Sequence, residues 1–259
     1  MPGEREPVGR AIDVLIWLAN HPTDTWSVRQ VAREMDAFPS TIHRIFQLFE
    51  SRNLVSRTAE GRYAPGLELF RISQVFSQRL SPVPIARPHL ERLAADSGET
   101  VLLAAYSARR GQMMFVDMIT SAHPLRWVVD LNEWIAVHSG ATGLAMVAFL
   151  PEAERRALYA GELQAFTGET LTSPDDIEKE SARIREQGYA CSRGQRIVGA
   201  VGIAAPIFDA AGSVWGDVCI TIPDARFGEQ QQAALGAALK ASAAEITSDL
   251  RAAGFLRDG

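Results

Sequence analysis

The hydrophobic period changes along this chain, and that change constrains the fold more than any other feature. From Val8 to Phe49 apolar residues recur at three- and four-residue spacing, and short β-type runs follow as far as Ala64. Three helices and a hairpin satisfy that pattern. Val8, Ala11, Ile12, Leu15, Leu18 and Ala19 mark the inner face of the first helix, which "NHPTD" ends. The second helix starts at Ser27, because "SVRQ" is a capping box in which the Ser27 hydroxyl takes a backbone N–H and Gln30 reaches back to the cap. Val28, Val31, Ala32 and Met35 form its inner face. Pro39 suits the first turn of the third helix, where its missing N–H costs nothing, and Ile42, Ile45, Phe46 and Phe49 repeat at core spacing. "LVSR" and "RYA" then read as short strands joined by a turn through Thr58, Ala59, Glu60 and Gly61.

This arrangement leaves Ser40, Thr41, His43, Arg44 and Gln47 on the outside of the third helix. Helix, helix, short turn, helix and basic hairpin is the order of a winged helix-turn-helix, whose last helix enters the major groove of DNA. Arg44 suits a bidentate contact to guanine, Gln47 suits adenine, and Ser40 and Thr41 suit phosphates at the helix N-terminus. Arg57 and Arg62 flank the wing turn, and Ser27 completes the candidate DNA-contact set. Charge agrees with this division. The chain carries a net −5, yet its first 80 residues hold ten arginines against nine acidic residues, net +1, which leaves net −6 on the remainder. With only Lys179 and Lys240 as lysines, a general bias toward arginine explains part of this. The competing reading is a winged helix that docks a protein, fused to a domain that binds or processes a small molecule.

Residues 66–80, "GLELFRISQVFSQRL", continue a helical pattern through Leu67, Phe70, Val75 and Leu80 until "SPVP" breaks it. The expected organisation is a winged helix over 1–65, a linker helix over 66–82 and a second domain over 83–259. The linker buries its apolar side only against a partner, which points to pairing of two copies. Farther on, "TVLLAAYS", "QMMFVDMI", "LRWVVD", "GYACS", "GIAAPIF" and "SVWGDVCITI" read as strands, with helices near 85–97, 140–149, 173–187 and 226–254. Gly111 and "DAAG" at 209–212 make hairpin turns, so the second domain is α+β with antiparallel neighbours.

No catalytic constellation emerges. "GQRIVGA" has the glycine spacing of a phosphate loop, but Ala200 stands where the lysine must be. The five histidines are scattered and the two cysteines, Cys191 and Cys219, lack metal spacing, so neither metal nor cofactor is expected. With no 18-residue apolar window and no apolar run behind the polar start, a cytoplasmic protein without membrane contact is expected. A binding pocket remains. "HSGATGLAMVAFLP" starts with small residues and turns apolar, the pattern of a helix whose N-terminal amides stay open to an anion such as a carboxylate. Trp127 and Trp134 flank the segment before it; large aromatics are more often core, but on the pocket wall they would favour an aromatic acid.

These motifs together resemble the IclR family of bacterial transcriptional regulators. The resemblance rests on "STIHRIFQLFESRNLVSR", "RYAPGLELF", "LERLAADSGETVLLAAY", "HPLRW", "HSGATGLA" and "EQGYACSRGQRIVGAVGIAAPIFDAAGSVWGDVCITIP", and it covers nearly the whole chain. It departs at Pro39, one position later than usual, and at Leu144, where many members carry Lys. It implies a GAF-like effector domain, a homodimer or homotetramer, and a DNA operator as partner. It also implies that Ala141 and Thr142 offer backbone amides to a small carboxylate, and that Ser192, Gly202, Cys219 and Thr221 face the same pocket. Ser192 replaces an Asp of one well-known branch, which leaves the effector's identity open.

Overall fold

The computed structural model describes residues 7–255, and the chain divides into two compact units, Met1–Ser81 and Pro82–Gly259. The first contains α1 (Pro7–Asn20), α2 (Val28–Glu34), α3 (Pro39–Glu50), β1 (Val55–Arg57), β2 (Tyr63–Pro65) and α4 (Leu67–Leu80). Ser27 caps α2, its hydroxyl oxygen accepting the Gln30 N–H at 3.1 Å, and Pro39 occupies the first turn of α3. Ile42, Ile45, Phe46 and Phe49 of α3 pack against Val14, Leu18, Trp26, Val31, Val55 and Tyr63. The wing is fixed to α3 by this core. Phe46 and Tyr63 stack with ring centroids 4.4 Å apart, while Tyr63 pairs with Trp26 through backbone hydrogen bonds of 2.7 and 2.9 Å.

The apolar residues of α1 split into two stripes rather than the single face expected. Val14 and Leu18 are buried, whereas Val8, Ile12 and Ile16 are 64, 51 and 42 % exposed at four-residue spacing. Leu67, Phe70 and Phe76 of α4 are exposed as well, and the Leu80 side chain lies outside the described set. Among the described residues neither stripe has a core to join.

The second unit contains α5 (Val83–Ser97), β3 (Thr100–Ser107), β4 (Gln112–Ile119), β5 (Ile135–Ala136), α6 (Gly140–Val147), α7 (Glu152–Tyr159), α8 (Pro174–Gln187), β6 (Ala190–Arg193), β7 (Ala200–Phe208), β8 (Val214–Pro223) and α9 (Glu229–Ala252). Its sheet has the order β5-β4-β3-β8-β7-β6, antiparallel throughout, so the fold is α+β. Alternation along the strands divides the core. Val101 and Leu103 of β3 and Val218, Ile220 and Ile222 of β8 pack with α5 and α9, while Leu102, Ala104 and Cys219 face α6. Every residue of α6 is buried, as expected of a helix apolar on all sides. It lies so close to the preceding loop that a Cβ on Gly143 would meet the Val137 carbonyl oxygen at 2.0 Å.

One expected strand is absent. "LRWVVD", residues 125–130, is irregular, because its backbone is held by side chains instead of a ladder: Arg226 donates to the Leu125 carbonyl at 2.7 Å and Thr100 to that of Trp127 at 3.2 Å. The sheet edge beside β4 is taken by the two-residue β5. No described helix is long and apolar enough to cross a membrane.

Candidate nucleic-acid interface and effector pocket

Because the inner positions of α3 are committed to the core, its polar positions must face outward. Ser40, Arg44 and Gln47 are exposed at the four- and three-residue steps that put them on one helical face, with Thr41 and His43 half-buried beside it. The Arg44 and Gln47 side chains bond to no described residue, so their donors are open to a ligand. The wing separates its two arginines. Arg57 is exposed, whereas Arg62 donates through Nε to the Thr25 hydroxyl at 2.7 Å and through its terminal nitrogen to the Thr25 carbonyl at 2.8 Å. Arg62 therefore ties β2 to the chain before α2. Ser27 is similarly engaged, by its cap.

In the second unit a cavity of about 260 Å³ opens between the sheet and the N-terminus of α6. Its floor is Leu102 of β3, Met113 and Phe115 of β4, and Cys219 and Thr221 of β8; Ser192 and Gly202 close one side. Gly202 lets the helix approach closely there, since a Cβ would lie a tight 3.1 Å from that of Ala141. Ser139, Gly140, Ala141 and Thr142 bring the first turn of α6 to the wall, where amide N–H groups have no intrahelical acceptor. Six expected residues thus meet around one space: Ala141, Thr142, Ser192, Gly202, Cys219 and Thr221.

The two tryptophans do not join them. Without a strand at 125–130 no alternation aims Trp127 inward; it lies beside Gly199 with its indole N–H buried and without an acceptor. Trp134 lies under the Arg110 guanidinium, 4.9 Å from the ring centroid. Phe115 supplies the aromatic surface instead.

Among the wall residues not foreseen are Gln195 and Arg196, from the loop between β6 and β7. Gln195 Oε1 accepts the Gly140 N–H at 3.3 Å, and Arg196 donates to the Ala136 and Ser139 carbonyls at 3.1 and 3.4 Å. They belong to "GQRIVGA", whose glycine spacing drew attention to the backbone and away from the polar pair inside it. Burial pushes the Cys219 thiol far up and the Cys191 thiol up to about 11, so neither is a thiolate at neutral pH. Two residues before Cys219 on the same face of β8, Asp217 is fully buried, and burial raises its pKa well above the ordinary value, the nearby Thr142 hydroxyl offsetting this only in part.

Comparison with known proteins gives both halves a family. Residues 77–248 match the bacterial transcriptional regulator IclR C-terminal family and residues 7–59 the IclR helix-turn-helix domain. The chain is 26% identical over 247 residues to the transcriptional repressor IclR of Escherichia coli, covering 95% of this chain and 90% of that protein. It is 28% identical over 240 residues to the HTH-type transcriptional regulator BhcR of Paracoccus denitrificans, covering 92% and 85%. An IclR homolog from Microbacterium hydrocarbonoxydans, solved in complex with 4-hydroxybenzoate, shares the fold at a TM-score of 0.82 and 22% identity, over 95% of this chain and all of that one.

Proposed function

The chain belongs to the IclR family of bacterial transcriptional regulators, and we propose that it represses transcription from an operator whose affinity is set by an organic acid in the α6 cavity. Arg44 and Gln47 read base edges, Ser40 and Thr41 hold phosphates, His43 lies against the groove wall, and Arg57 contacts the backbone from the wing. The observation that carries this reading is the exposed face of α3, where side-chain donors with no partner among the described residues stand beside a basic wing.

Two copies act together. The exposed stripes Val8–Ile12–Ile16 and Leu67–Phe70–Phe76 are the kind of apolar surface that a second copy covers, giving a homodimer or homotetramer with recognition helices on successive half-sites. The effector is a carboxylic acid with an apolar body, in keeping with the apolar floor, the open turn of α6 and the 4-hydroxybenzoate complex of a similar fold. It acts by linkage, shifting operator affinity only as far as it distinguishes binding-competent from incompetent dimers, typically about 1–3 kcal/mol. The protein works where the operator is, in the cytoplasm.

Fluorescence anisotropy against DNA flanking the gene, with random DNA as competitor, tests the reading. Specific binding that survives competitor and loses about 1–3 kcal/mol in Arg44→Ala is expected. Binding indifferent to both sequence and Arg44 would refute it.

A further inference from the structure

The structure assigns to Arg196 the recognition of the effector's anionic group, and with it a class of effector: a monocarboxylate whose other end is uncharged. This rests on the effector-pocket reading above.

Arg196 lines the cavity half-buried, and it forms no ion pair with any described residue. Its protein acceptors are the two neutral carbonyls of Ala136 and Ser139, both reached by one terminal nitrogen. The other guanidinium nitrogens have no acceptor among the described residues. The guanidinium carbon sits over the Phe166 ring, 4.8 Å from its centroid, which helps hold the group in place. A partly desolvated cation left without a counter-charge is unfavourable, and burial here shifts it toward the neutral form. An arriving carboxylate removes that penalty and matches the planar fork with two parallel hydrogen bonds.

The surroundings direct the anion to the same place. Arg196 follows Gln195, whose side-chain oxygen already sits on the Gly140 N–H at the start of α6, where a carboxylate oxygen would gain more from the same amide. The loop is pinned from behind, as Thr170 donates to the Gln195 carbonyl at 2.6 Å and Thr167 to that of Gly194 at 2.7 Å, so Arg196 is held without the ligand's help. Asp130 and Glu133, the other charged residues on the wall, are exposed. They repel a second carboxylate and tolerate a neutral or donating tail.

Thermal unfolding at constant ionic strength, with acetate or benzoate replacing chloride and acetamide and benzamide as uncharged matches, tests this. Both acids should raise the wild-type midpoint and the amides should not, with benzene-1,4-dicarboxylate at least tenfold weaker than benzoate. Arg196→Met should weaken the acids at least tenfold while unfolding no earlier than wild type in chloride. Should that variant not fold, Arg196→Gln, which can still donate to the two carbonyls, is read in the same way. Equal responses of wild type and variant would overturn the role of Arg196 and leave the pocket standing. No response of wild type to either acid would overturn the anion site, while operator binding by the same samples reports separately on the regulator reading. A dicarboxylate bound as well as benzoate would overturn the monocarboxylate class.

Discussion

Asp217→Asn should make the second unit more stable by a margin that grows with pH. Asp217 lies opposite Ala104 on β3 and Pro206 on β7, on the strand face shared with Cys219 and Thr221, and is wholly buried. Burial raises its pKa well above 3.8, and the Thr142 hydroxyl only partly offsets this. In the unfolded chain the carboxyl ionises near its ordinary value, so above that pH the unfolded state has released a proton that the folded state keeps. Stability from this group is therefore complete below about pH 4 and is lost as pH rises toward the folded-state pKa, at about 1.4 kcal/mol per unit. From pH 5 to 7 the loss is about 2.7 kcal/mol if the folded acid stays protonated, a large part of the roughly 5–15 kcal/mol that holds a domain. Asparagine has nearly the same shape and does not titrate, and any unsatisfied amide it leaves costs the same at every pH. Urea unfolding of both proteins at pH 5, 6 and 7, followed by far-UV circular dichroism, gives the difference directly. Parallel pH profiles, or a variant that loses ground as pH rises, would refute the argument by showing a charged and compensated Asp217.

The two wing arginines should separate by phenotype. Arg57→Ala should weaken binding to all DNA sequences alike and reduce the salt slope by about one unit, whereas Arg62→Ala should act first on the unfolding midpoint of the first unit, because its bonds run to Thr25. Ile12→Glu or Phe70→Glu should dissociate the oligomer in sedimentation and lower operator affinity with it, since each puts a charge into an apolar stripe of α1 or α4. Gly143→Ala should destabilise the second unit by about 1–3 kcal/mol or more, read as a lower thermal midpoint, because its Cβ would meet backbone at 2.0 Å.

How much of this was legible beforehand followed from how local each signal is. The three helices and the wing were readable because cap, proline and period all agree within a few residues, and β3 and β4 begin and end where their apolar run and their alternation do. α7 went unread because none of its residues is buried, so it has no apolar stripe to detect, and β5 is too short to show a period. The segment 125–130 misled for the opposite reason. Its apolar run is real, but Leu125 and Val128 stand exposed, and their backbone is satisfied by Thr100 and Arg226 from distant parts of the chain. The same logic divides the pocket. Residues fixed by strand alternation or by the start of α6 could be placed in advance, whereas Arg196 reaches the cavity only through a loop anchored by Thr167 and Thr170, about 25 residues earlier. A charge unpaired in its own fold leaves no trace in composition or period. It becomes visible only when every neighbour that could have paired with it has been located, and those neighbours are set by tertiary structure.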